Sequence, residues 1–342
     1  MNEYEGILAF HFDAEHINIC ESPNEGINIK HREEKLNLKM TSCITPDIIV
    51  NGLMEIVNER KPLFIYVSIS NENMLQSYSL DLLKSTIEGD RYNRYIEIKK
   101  NTPILLKSIK SVLFMESSNY RNNTSMVIKN KSISFDYKRY GALCTQFSYN
   151  IGGRSKFISL VACNLPLDTA SLHEKFYQIR NEKSKVLNDI RKKFLLGPNG
   201  NEADFAIVMG NLGYLLNTSS KDNVFAMKME DLLLKDYIIQ GMVNHNNEFK
   251  YYKEGVSGDG PDVLPTFKML KERNVEYCEE HKKDDNFDTY YGNCLDGDLE
   301  KMGWNSRILY INNNVYQIQS YDSLEENNSR RFSTVGIFSY FK

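Results

Sequence analysis

Apolar residues along this chain gather into short runs separated by polar turns. The first run, GILAFHF at residues 6–12, has the length and density of a buried strand. TPDIIVNGLMEIVNER at 45–60 has a different rhythm. Its apolar residues fall at 48, 49, 53, 56 and 57, Thr45 stands ready to cap, and Pro46 and Asp47 suit a first turn, so a helix is expected. PLFIYVSIS at 62–70 is β-rich and of strand length. NMLQSYSLDLLKSTI, 73–87, predicts a second helix.

Strands are then expected at YIEIKK, SIKSVLFME, MVIKNKSISF, ALCTQFSY and KFISLVACNL. A long charged helix is expected over about Leu172 to Phe194. The strand FAIVM, 205–209, follows, then one helix over MEDLLLKDYIIQGM, 229–242. Late strands are SRILYI, VYQIQSY and STVGIFSYF. Many strands with helices interspersed irregularly point to α+β layers around one or two sheets. No repeat and no linker divides the chain, so one domain over 1–342 is expected. It would carry a polar N-terminal excursion at 13–40 and a charged surface insertion at 271–286, KERNVEYCEEHKKDDN.

Composition narrows the function classes. The 342 residues carry a net charge of −3 and are 41% hydrophobic, as in a globular protein. Balanced charge gives no reason to expect a nucleic-acid partner. No stretch approaches ~20 apolar residues, so no membrane span is expected. The apolar run at the N-terminus is too short for a secretory signal. With six scattered cysteines, a cytoplasmic protein with reduced thiols is the expectation.

Four stretches carry candidate chemistry: VACNLPLD (161–168), VMGNLGYLLN (208–217), GPDVLPTFKM (260–269) and GWNSRILYI (303–311). In this order they resemble the inositol polyphosphate 5-phosphatases of the endonuclease/exonuclease/phosphatase superfamily. That pattern runs Asn-Ser-His-Leu, Gly-Asp-Leu-Asn-Tyr-Arg, Pro-Thr-Tyr-Lys, Trp-Cys-Asp-Arg-Ile-Leu-Trp and a final Ser-Asp-His. Thr266, Phe267, Lys268, Trp304 and Arg307 match it. The resemblance spans Gly6 to Phe341 and implies a four-layered α/β/β/α sandwich.

The resemblance also implies a chemistry. Water attacks a phosphate monoester while Mg²⁺, held by carboxylates, neutralises charge. An Asp orients or deprotonates the water, and an Asp–His pair supplies an oriented imidazole. This chain departs at those positions. The His of the first motif is Asn164, the Asp and Asn of the turn are Asn211 and Gly213, and the Asp before Arg307 is Ser306. The final Asp and His align with Ser333 and Thr334. The metal-binding Glu is Glu55 in one register. In the other, which the strand at 62–70 favours, Asn71 stands there with Glu72 beside it. His11 and His16 flank the end of the first strand, close enough to face the implied cleft.

An amide accepts no proton from water at neutral pH, and losing several catalytic groups together removes most of a rate. The first expectation is therefore a non-catalytic relative that binds a protein partner or a phosphorylated inositol, such as a phosphoinositide headgroup, with no cofactor. Thr266, Phe267, Lys268 and Arg307 would be the phosphate-binding set. For Arg307 a structural ion pair is equally open, and Phe267 and Trp304 also read as core residues. The alternative is an active, diverged Mg²⁺-dependent phosphatase that rebuilds a metal site from Asp13, Glu55 or Glu72, and Asp168 or Asp204.

Overall fold

A computed structural model of the chain describes residues 6–13, 46–70, 78–89, 94–98, 106, 108–122, 126, 128–135, 140–151, 153–166, 173–197, 200–217, 228–245, 248–262, 303–304, 306–312, 316–322 and 333–340. The strands are β1 (Ile7–Asp13), β2 (Phe64–Ser70), β3 (Tyr95–Glu97), β4 (Ile109–Glu116), β5 (Ile128–Phe135) and β6 (Tyr140–Ile151). They continue with β7 (Arg154–Asn164), β8 (Phe205–Asn211), β9 (Ser306–Asn312), β10 (Tyr316–Asp322) and β11 (Ser333–Tyr340). The helices are α1 (Pro46–Arg60), α2 (Tyr78–Glu88), α3 (Ser117–Asn122), α4 (His173–Ile190), α5 (Met229–Lys235) and α6 (Tyr237–Asn244).

Two mixed sheets form. The first has the order β10-β11-β1-β2-β4-β3 and the second β5-β6-β7-β8-β9. In β2 every residue is buried, as its unbroken apolar run anticipates for a strand covered on both faces. Alternation then sorts side chains by layer. Phe64 and Tyr66 face the second sheet, with Ile7 and Ala9 of β1, and meet Phe205, Ile207 and Met209 of β8. Leu8, Phe10, Ile65 and Val67 face the other way, onto Val50, Leu53 and Val57 of α1 and Leu83 and Ile87 of α2. Behind the second sheet, Val161, Val208 and Leu309 pack against Leu187 and Ile190 of α4 and Ile238 and Met242 of α6. The result is the four-layered α/β/β/α sandwich expected.

Between the sheets the Tyr66 hydroxyl is satisfied within the apolar layer. The Tyr66 hydroxyl donates to the Leu160 carbonyl of β7 at 3.3 Å. Burial pushes this phenol far above its ordinary range, so it stays a donor.

Three local departures from the expected elements have physical causes. The long helix ends at Ile190, and residues 191–195 form a wider π turn. Side chains from the sheet meet the carbonyls of this turn. Lys131 Nζ donates to Lys193 O at 2.8 Å, while Gln146 Nε2 and Ser159 Oγ donate to Phe194 O at 2.5 and 2.7 Å. The single helix expected over 229–242 is two, because Asp236 leaves helical geometry (φ −76°, ψ 127°) and caps α6 through Oδ1, which accepts from Ile239 N–H at 2.9 Å. Helix α3, which no apolar periodicity announced, starts on Glu116. Its carboxylate accepts from the backbone N–H groups of Ser118 and Asn119, the Ser118 hydroxyl and the Asn119 amide, at 2.7–2.9 Å.

Burial alone would raise the Glu116 pKa, but those donors outweigh it and hold the carboxyl below its usual value. A folded pKa below the unfolded one stabilises above the unfolded value and is lost as pH falls through the folded one. Glu116→Gln is therefore expected to lower the unfolding midpoint at pH 7. It should also shrink the stability lost on acidification below about pH 4.3, the ordinary Glu value. Urea unfolding at pH 7, 4 and 3 checks this.

Candidate functional site at the strand ends

Strands β7 and β8 run parallel, and Asn164 pairs with Asn211 at their ends. Asn211 in turn pairs with Ser306 at the start of β9. In the first sheet, His11 of β1 pairs with Ser68 of β2 on one side and with Thr334 of β11 on the other. Two rows result, Asn164–Asn211–Ser306 and Ser68–His11–Thr334, one on each sheet. Ser333 pairs with Phe12, one register position on. Asn164, Asn211, Ser306 and Thr334 thus fall in the two strand-end rows with His11 and Ser68, while Ser333 shares the register of Phe12, which faces the helix layer.

The rows meet through hydrogen bonds. His11 Nδ1 lies 2.7 Å from Ser68 Oγ, and His11 Nε2 lies 3.1 Å from Asn211 Oδ1. With the amide oxygen as acceptor, a neutral imidazole carries its proton on Nε2 and accepts the Ser68 proton at Nδ1. His11 and Ser68 are fully buried, and Asn164, Asn211 and Ser306 nearly so. Asn164 Nδ2 donates to Ser108 O at 3.2 Å. Ser70 Oγ, two residues beyond Ser68, is buried without a hydrogen-bond partner among the described residues. Asp13 holds the register position beside Ser70.

The turn after β8 is shaped by close approach and held from behind. A Cβ on Gly210 would stand 1.8 Å from the Cys163 carbonyl of β7, so the strands fit only with glycine there. Gly213 has φ 66°, and its carbonyl accepts from Lys183 Nζ of α4 at 2.7 Å. The same ammonium lies 3.8 Å from the ring centroid of Tyr214. Arg180, also on α4, donates to Leu215 O at 3.3 Å. Tyr214 stacks on Tyr237 at 5.3 Å and meets the edge of Phe249 at 5.4 Å.

Arg307 is one residue past Ser306, and alternation sends it to the opposite face of β9. Its Nη1 donates to both Asp236 oxygens at 2.8 Å, and its Nε lies 3.0 and 3.1 Å from the Glu254 oxygens. Nη2 completes the grip on Glu254. All three side chains are fully buried. Of the two readings open for Arg307, the geometry supplies the ion pair. The phosphate-binding reading gives way because the guanidinium is spent behind the sheet. Trp304 packs in the core between the sheets.

The other predicted residues fall as follows. Glu55 is exposed on α1, which covers the outer face of the first sheet and not the space between the sheets, and this removes the first register for the metal-binding Glu. Asp204 precedes β8 and accepts from Phe157 N–H at 2.9 Å and Lys156 Nζ at 3.1 Å. Seven residues of strand put it about 23 Å from Asn211. His16, Asn71, Glu72, Asp168, Thr266, Phe267 and Lys268 lie outside the described residues, as do the segment 271–286 and all of the 13–40 excursion except Asp13, which ends β1. Among the described residues no three His, Cys, Asp or Glu side chains gather as a cation site. Mg²⁺ asks for carboxylate oxygens, and the residues of the two strand-end rows are amides, hydroxyls and an imidazole, which by themselves do not fit it. Among the described residues no helix is long and apolar enough to cross a membrane.

Comparison with solved structures identifies the architecture. The inositol polyphosphate 5-phosphatase domain of SPsynaptojanin, solved with inositol (1,4)-bisphosphate and calcium ion, superposes with a TM-score of 0.61. That match has 12% identity and covers 98% of this chain and 84% of that one. Two mutants of Cimex nitrophorin, each solved as a ferrous NO complex, give TM-scores of 0.57 and 0.55 at 13% and 14% identity. Each match covers 99% of both chains. At these identities the likeness is one of fold, the sandwich of the endonuclease/exonuclease/phosphatase type. No family model and no curated protein matches the chain. Of this chain's thiols, Cys144 and Cys163 lie on the outer face of the second sheet, and burial pushes Cys163 up to about 12.

Removing Arg307 while keeping Asp236 and Glu254 leaves two buried carboxylates without their cation. Arg307→Met is expected to cost about 3–5 kcal/mol in a denaturant titration. Arg307→Lys should recover only part of it, since an ammonium does not form two bidentate pairs.

Proposed function

We propose that the protein is a non-catalytic relative of the inositol polyphosphate 5-phosphatases that acts by binding. The observation that carries this reading is the strand-end constellation. Asn211 and Ser306 stand where the implied pattern has Asp, Asn164 stands where it has His, and His11 and Asn211 are bonded to each other. A carboxamide neither deprotonates water nor neutralises a cation, so Asn211 supplies neither the acid–base nor the metal function of the Asp it replaces in the implied pattern.

The occupant of the cleft in this reading is a phosphorylated inositol. The fold neighbour bound to inositol (1,4)-bisphosphate supports it. With Arg307 committed to its ion pair, Lys268 is the cation to which the motif resemblance assigns the phosphate. A protein partner is the competing occupant, recognised by surface rather than cleft.

Phosphate release from a panel of inositol phosphates and phosphoinositides in Mg²⁺ tests the proposal, with calorimetric titration of the same ligands. The expected outcome is no turnover above background for wild type, with binding that Lys268→Ala weakens at least about tenfold, the loss of one charge-assisted contact. Wild-type turnover that Lys268→Ala abolishes would overturn it. Absence of both turnover and binding would move the search to a protein partner. Asn211→Asp serves as a probe: one restored carboxylate is expected to be insufficient for turnover.

A further inference from the structure

Apolar packing between the two sheets stops at one register level. On β1 the inward series runs Ile7, Ala9, then His11; on β2 it runs Phe64, Tyr66, then Ser68; on β8 it runs Phe205, Ile207, Met209, then Asn211. Three polar side chains buried side by side are costly unless they bond to one another. Here they do. The His11 ring bonds Ser68 on its own sheet and Asn211 on the facing sheet.

We propose that this Ser68–His11–Asn211 relay is a cation-independent clamp that ties the two sheets together where their apolar packing ends. The inference goes beyond the non-catalytic reading. In the chemistry that the resemblance implies, a divalent cation sits among carboxylates at the strand ends. Here the Asn211 Oδ1 that faces the site accepts from His11 Nε2–H, and Ser68 Oγ–H is matched to Nδ1. In these two bonds each donor meets an acceptor directly, with no ion between the partners. The same order, hydroxyl, imidazole and orienting amide, is that of an activated nucleophile. Zero exposure of Ser68 and His11 withholds the hydroxyl from any substrate, and this decides for the structural role.

Thermal unfolding of the full chain in EDTA, Mg²⁺ and Ca²⁺ tests the clamp, using wild type, His11→Ala, Asn211→Ala and the double variant. The wild-type midpoint is expected to stay within about 1 °C across the three conditions, since only a ligand of the folded state raises it. Each single variant lowers the midpoint, and the double lowers it no further than the less stable single. A midpoint raised by either cation, or losses that add, overturns the proposal. Should His11→Ala fail to fold, Ser68→Ala and Asn211→Leu carry the comparison, each expected to lower the midpoint. ¹⁵N NMR of the His11 ring at neutral pH is expected to show the neutral Nε2–H tautomer; an imidazolium or the Nδ1–H form overturns it. So does labelling of Ser68 by a fluorophosphonate probe. Because these readouts need no substrate, turnover beside a cation-insensitive midpoint would remove the proposed function and leave the clamp standing.

Discussion

Strand alternation between two facing sheets is the constraint from which the rest of this molecule follows. Each central strand must present apolar residues inward at every second position, or the sheets do not close. Phe205 shows the density this reaches, with its ring centroid 4.3 Å from that of Tyr316 and 5.2 Å from that of Phe338. The same alternation decides what every other side chain can reach. It gives His11 and Asn211 to the space between the sheets and denies that space to Arg307. Function at the strand ends is thus a matter of parity before it is a matter of residue type.

Behind the second sheet, the Arg307 ion pair plays an organising part that apolar residues do not. Asp236 both caps α6 and grips Arg307, and Glu254 brings in the segment that bridges to Tyr310 through paired backbone bonds. Burial of such a set adds little net stability over well-packed apolar residues. Its geometry does fix where α6 begins and where that segment lies against β9.

Much of the fold was legible because apolar runs in this chain are short and cleanly bounded. Strand β2 and helix α1 followed from periodicity and from Pro46. The break at Asp236 was not legible, because the residues around it keep a helical apolar rhythm and the ion pair that fixes the break joins residues 71 positions apart. The π turn was hidden for the same reason, since its donors Lys131, Gln146 and Ser159 come from three other strands. At the site, the ordered motifs pointed to Asn164, Asn211 and Ser306, which the register brings into one row. Ser68 carried no signal, being one serine within a β-rich run. His11 stood out only by its place near a strand end. Arg307 had two readings, and only the parity of β9 separates them.

The turn that carries Asn211 is held by groups that never face the cleft. Lys183 and Arg180 bind its carbonyls from α4, glycine at 210 admits it against β7, and Tyr214 anchors it in an aromatic stack. Shape and reactivity are therefore written in separate residues. The backbone contour of such a turn is set by its rear supports, whichever side chains its tip carries. A fold organised this way sheds or exchanges a chemistry without refolding, one tip residue at a time.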